Sequence, residues 1–196
     1  MREQERADLV AATRDLIGAV SLTDVPGDEL RRATEAIRRI TADLAAASLP
    51  RVPRVPLPAG PLRGDVTGSA DPVLGRFNPV APPLRITVDP AGTATASLVP
   101  APMFEGPRGA VHGGYLAMLL DAVMGTLVRS FGALAVTGRL TVRYLRPTPL
   151  DRTLRLTARV LARESRKVTV EGEITSDEVP TVRSTGLFIT PSSWSH

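Results

Sequence analysis

Asp121 stands inside the run "YLAMLLDAVMGTLV", where every other residue except Thr126 is apolar or small. An ionised carboxylate in such a setting costs on the order of several kcal/mol unless it is paired, protonated or facing a cavity. Two roles fit. One is structural, an Asp held by a nearby Arg or capping a neighbouring element; the other is a general base or nucleophile in a cleft.

Just upstream lies "VHGG", from Val111 to Gly114. Two glycines let a ligand approach the backbone closely, and the first N–H groups of a helix lack partners and carry the positive end of its dipole. That combination suits an oxyanion, although a plain loop-to-helix turn with a hydrogen-bonded His112 would read the same way. Gly113 and Asp121 are eight residues apart, so along one helix they stand about 12 Å from each other. A single helix cannot bring both to one carbonyl. If both act on one substrate, Asp121 must come from a second copy lying antiparallel in a symmetric dimer.

The elements that position these residues follow from periodicity. Residues 115–128 are apolar all round, which marks either a core helix or a membrane span. The run is shorter than the roughly 20 residues a bilayer needs and carries a carboxylate, so it is expected in the core. Period-two patterns predict strands at "LRITVD" and "GTATASLV", then over 136–146, 153–165, 167–175 and 182–190. In the first of the later four, Val136, Leu140, Val142 and Tyr144 alternate with Thr137, Arg139, Thr141 and Arg143, which predicts one buried and one wet face. The expected domain is one buried helix embraced by an antiparallel sheet, an α+β architecture.

Ahead of it, 7–20 and 28–47 carry apolar residues at helical spacing, with Asp28 able to cap the second segment and Pro and Gly between the two. They read as a helical hairpin that docks on the main domain. "PRVPRVPLPAGP" follows, with the composition of an extended linker. The expected division is residues 1–48 as a helical extension, 49–64 as a proline-rich linker and 65–196 as the main domain.

Composition narrows the function classes. With 196 residues, 43% hydrophobic and 22% charged, the chain has the makeup of a folded globular protein. It has no cysteine, so thiolate chemistry, disulfides and Cys-ligated metal are excluded. The charged N-terminus lacks an export signal, and a reducing cytoplasm is the expected compartment. The net charge is +4, with residues 1–48 holding 7 basic and 9 acidic side chains, so the basic excess lies beyond them. Aromatics at 4% give few stacking platforms, and no nucleic-acid partner is expected.

"GRFNPVAPPL", "FEGPRGAVHGGYLAMLLDAVMG" and "VTGRLTVRYLRPTPL", in that order and with an Asp nine residues after the His, resemble the hotdog-fold acyl-CoA thioesterases of the PaaI-like branch. The likeness runs from about Gly75 to Thr190. It implies a hotdog fold, a long central helix wrapped by antiparallel sheet, and hydrolysis of an acyl-CoA thioester. The backbone N–H of Gly113 would hold the carbonyl oxygen, with Gly114 also against the substrate and His112 shaping the turn. Asp121 of the facing protomer would activate water or attack the thioester directly. Thr137 matches a hydroxyl position that orients the water or the Asp in similar enzymes. A homodimer or a dimer of dimers is implied, with no metal and no organic cofactor, coenzyme A being part of the substrate.

The sequence departs from the pattern at Gly106, where some relatives carry Asn six residues before the His. Glu105 and Asn78 are the candidate substitutes. Arg139 and Arg143 are expected on one strand face, and Arg155, Arg159 and Arg163 on one face of the next, either as a solvated stripe or as a basic patch. Arg146, Arg166 and Lys167, near strand ends, are candidates for the coenzyme A phosphates. Tyr115, Met118, Leu119 and Phe131 are candidates for an acyl pocket or for plain core. Two other readings share the fold: a non-catalytic acyl-CoA binder, which would gain nothing from a carboxylate beside the thioester, and an enoyl-thioester hydratase, which would need an Asp and His working together.

Overall fold

The computed structural model describes residues 2–51, 64–66 and 71–192. Helices α1 (Arg2–Leu22) and α2 (Gly27–Ala45) come first, then strands β1 (Gly64–Val66), β2 (Arg85–Val88) and β3 (Thr93–Leu98). A 3₁₀ turn (Pro102–Phe104) leads to helix α3 (Gly113–Ser130), and β4 (Val136–Tyr144), β5 (Leu154–Glu164), β6 (Lys167–Ser176) and β7 (Val179–Ile189) complete the chain. The seven strands form one sheet in the order β1-β2-β3-β5-β6-β7-β4, with every pairing antiparallel. β1 and β4 are therefore its edges. Most of the proline-rich stretch expected as a linker over 49–64 lies outside the described residues.

α3 is the axis of the core. Leu119, Leu120, Val123, Met124 and Leu127 are fully buried against inward residues of the sheet such as Ile86, Leu154, Leu156, Val170 and Ile174. Each of these burials contributes roughly 1.5–3 kcal/mol. The sheet covers three sides of the helix. Gly113, Ala117, Met118, Asp121, Ala122 and Gly125 are only half-buried, which marks the fourth. Among the described residues no helix is long and apolar enough to cross a membrane.

Two sequence expectations about strand faces are corrected by bulges. In β4 the register shifts between Thr137 and Arg139, leaving Gly138 unpaired. One extra residue reverses the alternation. Thr137, opposite buried Phe188, therefore shares the helix-facing side with Leu140, Val142 and Tyr144, and Val136 turns outward with Arg139. β4 is also poorly covered: Val136 is 44% and Tyr144 52% exposed, because no strand lies beyond this edge. In β5 a shift between Val160 and Ala162 acts likewise. Arg163 thus leaves the face of Arg155 and Arg159 and lies over the Phe131 ring, 4.8 Å from its centroid. Of the stripe residues Arg139, Arg143, Arg155 and Arg159, only Arg159 has an ion-pair partner among the described residues, Glu171; Arg183, on β7, pairs with Glu173.

Of the N-terminal helices, α1 docks as expected and α2 does not. α1 docks on the main domain: Val10 is buried, Arg14 Nη2 donates to the carbonyls of Gly75 (3.2 Å) and Asn78 (3.0 Å), and Phe77 lies between the guanidinium groups of Arg6 and Arg76. α2 has no buried residue, and Leu30, Ile40 and Leu44 stay about half exposed. Asp28 does not cap it. The helix begins one residue earlier, with Pro26 at the N-cap, and Asp28 instead meets Arg32 one turn on.

Candidate active site

Everything proposed from the sequence to act on a carbonyl lies on α3 or on the edge strand beside it. The entry to α3 is fixed by backbone bonds. Val111 N–H donates to the Thr148 carbonyl and His112 N–H to the Phe104 carbonyl, both at 2.8 Å. His112 is the N-cap, and its Nδ1 accepts from Gly114 N–H at 3.1 Å. The His112 carbonyl takes the N–H groups of Tyr115 and Leu116. One donor is left over. Among the described residues the N–H of Gly113 has no acceptor, so the first turn presents a single open donor at the positive end of the helix dipole.

Gly113 is packed closely by Tyr144, whose exposed ring would have to shift slightly to admit a side chain. A Cβ there would lie 3.1–3.2 Å from the ring and hydroxyl of Tyr144, whose hydroxyl donates to the Gly113 carbonyl at 2.8 Å. The sequence reading missed this contact. Only the pairing of Tyr144 with Val182, at the far end of β4, brings it over the helix start.

Two turns along α3, Asp121 is half-buried and accepts a hydrogen bond on Oδ1 from the Thr137 hydroxyl at 2.8 Å. Among the described residues no Arg or Lys is within ion-pair distance of it, so the structural alternative of an Arg-paired Asp is not what this site contains. Oδ2 stays open. No group of three or more His, Asp or Glu that could hold a metal occurs among the described residues.

The departure at position 106 has a local cause. A Cβ on Gly106 would meet His112 Cα at 2.7 Å, because the 105–111 loop folds back on the N-cap. Glu105 serves that loop, its Oε1 accepting from Gly109 N–H at 2.6 Å. Asn78 serves another, accepting from Val80 N–H at 3.1 Å in the segment clamped by Arg14. Neither bonds to the turn at His112. Arg146 is exposed two residues beyond Tyr144, whereas Lys167 is aligned through Ile189 with Val136 at the opposite end of β4. Tyr115, Leu119 and the Phe104 ring stacked on Tyr115 belong to the core.

A seven-stranded antiparallel sheet wrapped on one central helix, which carries an N–H and a carboxylate without hydrogen-bonded or ionic partners, respectively, among the described residues, defines a hotdog-fold protein. Residues 108–182 match the thioesterase superfamily. A crystal structure of a thioesterase superfamily protein superposes with a TM-score of 0.81 at 31% identity, covering 94% of each chain and thus the N-terminal helices as well. A phenylacetic acid degradation-related protein of Ralstonia eutropha is 32% identical, covering 54% of this chain and 83% of its own, with a TM-score of 0.51. The chain belongs to the thioesterase superfamily. It is also similar to the acyl-coenzyme A thioesterase THEM4 of Xenopus laevis, at 35% identity over 92 residues, or 46% of this chain and 41% of that protein. The chain thus spans about two fifths of the length of the curated relatives it matches.

Proposed function

We propose that this protein hydrolyses an acyl-CoA thioester to the free acid and coenzyme A. The observation that carries this reading is Asp121: a carboxylate on the core helix, supported by one hydroxyl and by no cation, with an oxygen left open. A purely structural Asp would have its charge matched. The similarity to acyl-coenzyme A thioesterases supplies the substrate class.

In the proposed step the thioester oxygen accepts from Gly113 N–H, with Gly114 beside it against the substrate, and His112 holds the turn. Asp121 takes a proton from water as the water oxygen bonds to the carbonyl carbon. The tetrahedral oxyanion collapses, the C–S bond breaks, and the proton passes to the departing thiolate. Direct attack by Asp121 gives the same products through a mixed anhydride that water then opens. Single turnover in ¹⁸O-water that leaves label in Asp121 identifies the second route, with water opening the anhydride at the Asp carboxyl carbon. The step needs no metal and no organic cofactor, with coenzyme A entering as part of the substrate.

The site is proposed to be completed by a facing copy. Gly113 and Asp121 are separated by about 12 Å of helix, while the uncovered side of α3 and the edge of β4 lie together, open to a twofold partner. With Gly138 bulged out, Thr141 lies midway between Thr137 and Tyr144 along β4. An antiparallel pairing of two β4 edges centred on Thr141 sets Thr137 and Asp121 of one copy against Tyr144 and Gly113 of the other. The same arrangement reconciles the two basic candidates. Arg146 and the Lys167 end of the sheet are roughly 30 Å apart along one chain, yet Arg146 of one copy and Lys167 of the other meet at one end, where the coenzyme A phosphates would lie. A homodimer is the minimal active unit, with a dimer of dimers compatible, working in the reducing cytoplasm.

Thiol release from a panel of short, long and aromatic acyl-CoAs tests the proposal, comparing the parent with Asp121→Asn. The chain's lack of cysteine keeps the thiol assay clean. Turnover that falls at least about a hundredfold in the variant supports it. Binding of acyl-CoA without thiol release overturns hydrolysis in favour of a binding module.

A further inference from the structure

We propose that Tyr144 is a positioning residue for the thioester carbonyl, acting through Gly113; this rests on the thioesterase reading above. Tyr144 closes β4 at the sheet edge and is 52% exposed. An exposed phenol ordinarily bonds to water. This one instead donates to the Gly113 carbonyl at 2.8 Å and lays its ring over the Gly113 α-carbon, so close that a Cβ would be 3.1 Å from the ring carbon bearing the hydroxyl.

The consequence concerns the donor, since Gly113 is the one residue of the first turn whose N–H has no acceptor among the described residues. Its orientation is set on one side by the His112 N-cap and on the other by the peptide unit that Tyr144 holds. Glycine is the most mobile residue in the chain, and an open N–H on a glycine is a poor oxyanion donor unless something fixes it. Tyr144 does so from outside the helix, through its bond to the Gly113 carbonyl and its ring over the α-carbon. The bond is to backbone, away from any substrate atom, so it changes the strength of carbonyl stabilisation rather than ground-state affinity.

The test uses the full chain. Once an acyl-CoA turned over by the parent has been identified, Tyr144→Phe is expected to lower kcat about tenfold (~1.4 kcal/mol), with KM within about twofold. Tyr144→Leu, which also removes the ring, is expected to lower it further. In ¹⁵N-labelled protein the amide resonances of Gly113 and Gly114 shift in Tyr144→Phe relative to the parent, with or without turnover. A parent that releases no thiol therefore defeats the thioesterase reading, while the amide shifts report on the Tyr144 contact independently. Unchanged kcat in both variants, a fall carried by KM, or unmoved amides would overturn the assignment. If melting shows a variant unfolded, 3-fluorotyrosine at position 144, which keeps the ring and strengthens the donor, is expected to change kcat and leave KM in place; no change in kcat overturns the role.

Discussion

The Thr137 hydroxyl donates to Asp121 Oδ1 at 2.8 Å, linking the second strand residue of the sheet edge to the middle of the buried helix. A hydrogen bond to a carboxylate is stronger than a neutral one and fixes which oxygen stays free. Replacing Thr137 by Val keeps the shape and removes the donor. The expected result is a fall in kcat of about tenfold or more, with Thr137→Ser recovering most of it. Acyl-CoA kinetics on the three proteins decide the matter, and a Val variant equal to the parent would show that Asp121 needs no such support.

The resemblance to the PaaI-like thioesterases pointed to Thr137 as a hydroxyl that orients the Asp, whereas alternation alone hid the contact by one residue. Strict alternation places Thr137 on the solvent face of β4, and the extra Gly138 moves it to the helix face. The bulge in β5 misled the reading of Arg163 in the same way. Nothing in a period of two announces where a strand will insert a residue. Asp121 and the His112–Gly114 turn were legible because they break a local rule, a charge in an apolar run and paired glycines at a helix start. Tyr144 obeys the apolar alternation and so looked like core. α2 was legible as a helix but not as one without a buried face, because amphipathic spacing says that a face wants cover and not what covers it.

Gly113→Pro tests the oxyanion assignment with little disturbance of the fold. Proline is tolerated as the first helical residue, where its missing N–H had no helical partner. The preceding residue is already extended: His112 has ψ 130°, outside the α region that a following proline disfavours. The exposed Tyr144 ring must yield by a few tenths of an ångström. The expected outcome is a folded protein whose kcat has dropped on the order of a hundredfold or more. Retained turnover, with circular dichroism showing an intact fold, would move the donor elsewhere.

The shared site makes a quantitative prediction for mixed dimers. A hybrid of an Asp121→Asn chain and a Gly113→Pro chain contains one site with both groups intact and one with neither. Random assembly of equal amounts makes half the dimers hybrid, so the mixture should regain about one quarter of the parent's activity per subunit, although each variant alone is nearly inactive. Co-expression with two affinity tags followed by thiol assay measures it. Activity no higher than the separate variants would mean that each chain works with its own groups only.

Tyr115 links the helix start to stability. Its ring stacks on Phe104 with centroids 3.9 Å apart, it is 8% exposed, and its hydroxyl has no partner among the described residues. Burial pushes its pKa up to about 12. The sign follows from linkage. Below pH 10 the phenol is protonated in both folded and unfolded chains; between about 10 and 12 the unfolded chain releases a proton that the folded one keeps, so stability falls as pH rises, by on the order of 2 kcal/mol. Tyr115→Phe removes both that loss and an unsatisfied buried hydroxyl. It is therefore expected to be about 1 kcal/mol more stable near neutrality, raising Tm by roughly 2–4 °C. Its advantage should widen between pH 10 and 12. Thermal melts of the two proteins from pH 7 to 12 show whether it does; a constant gap would mean that the phenol ionises as readily in the folded chain as in the unfolded one.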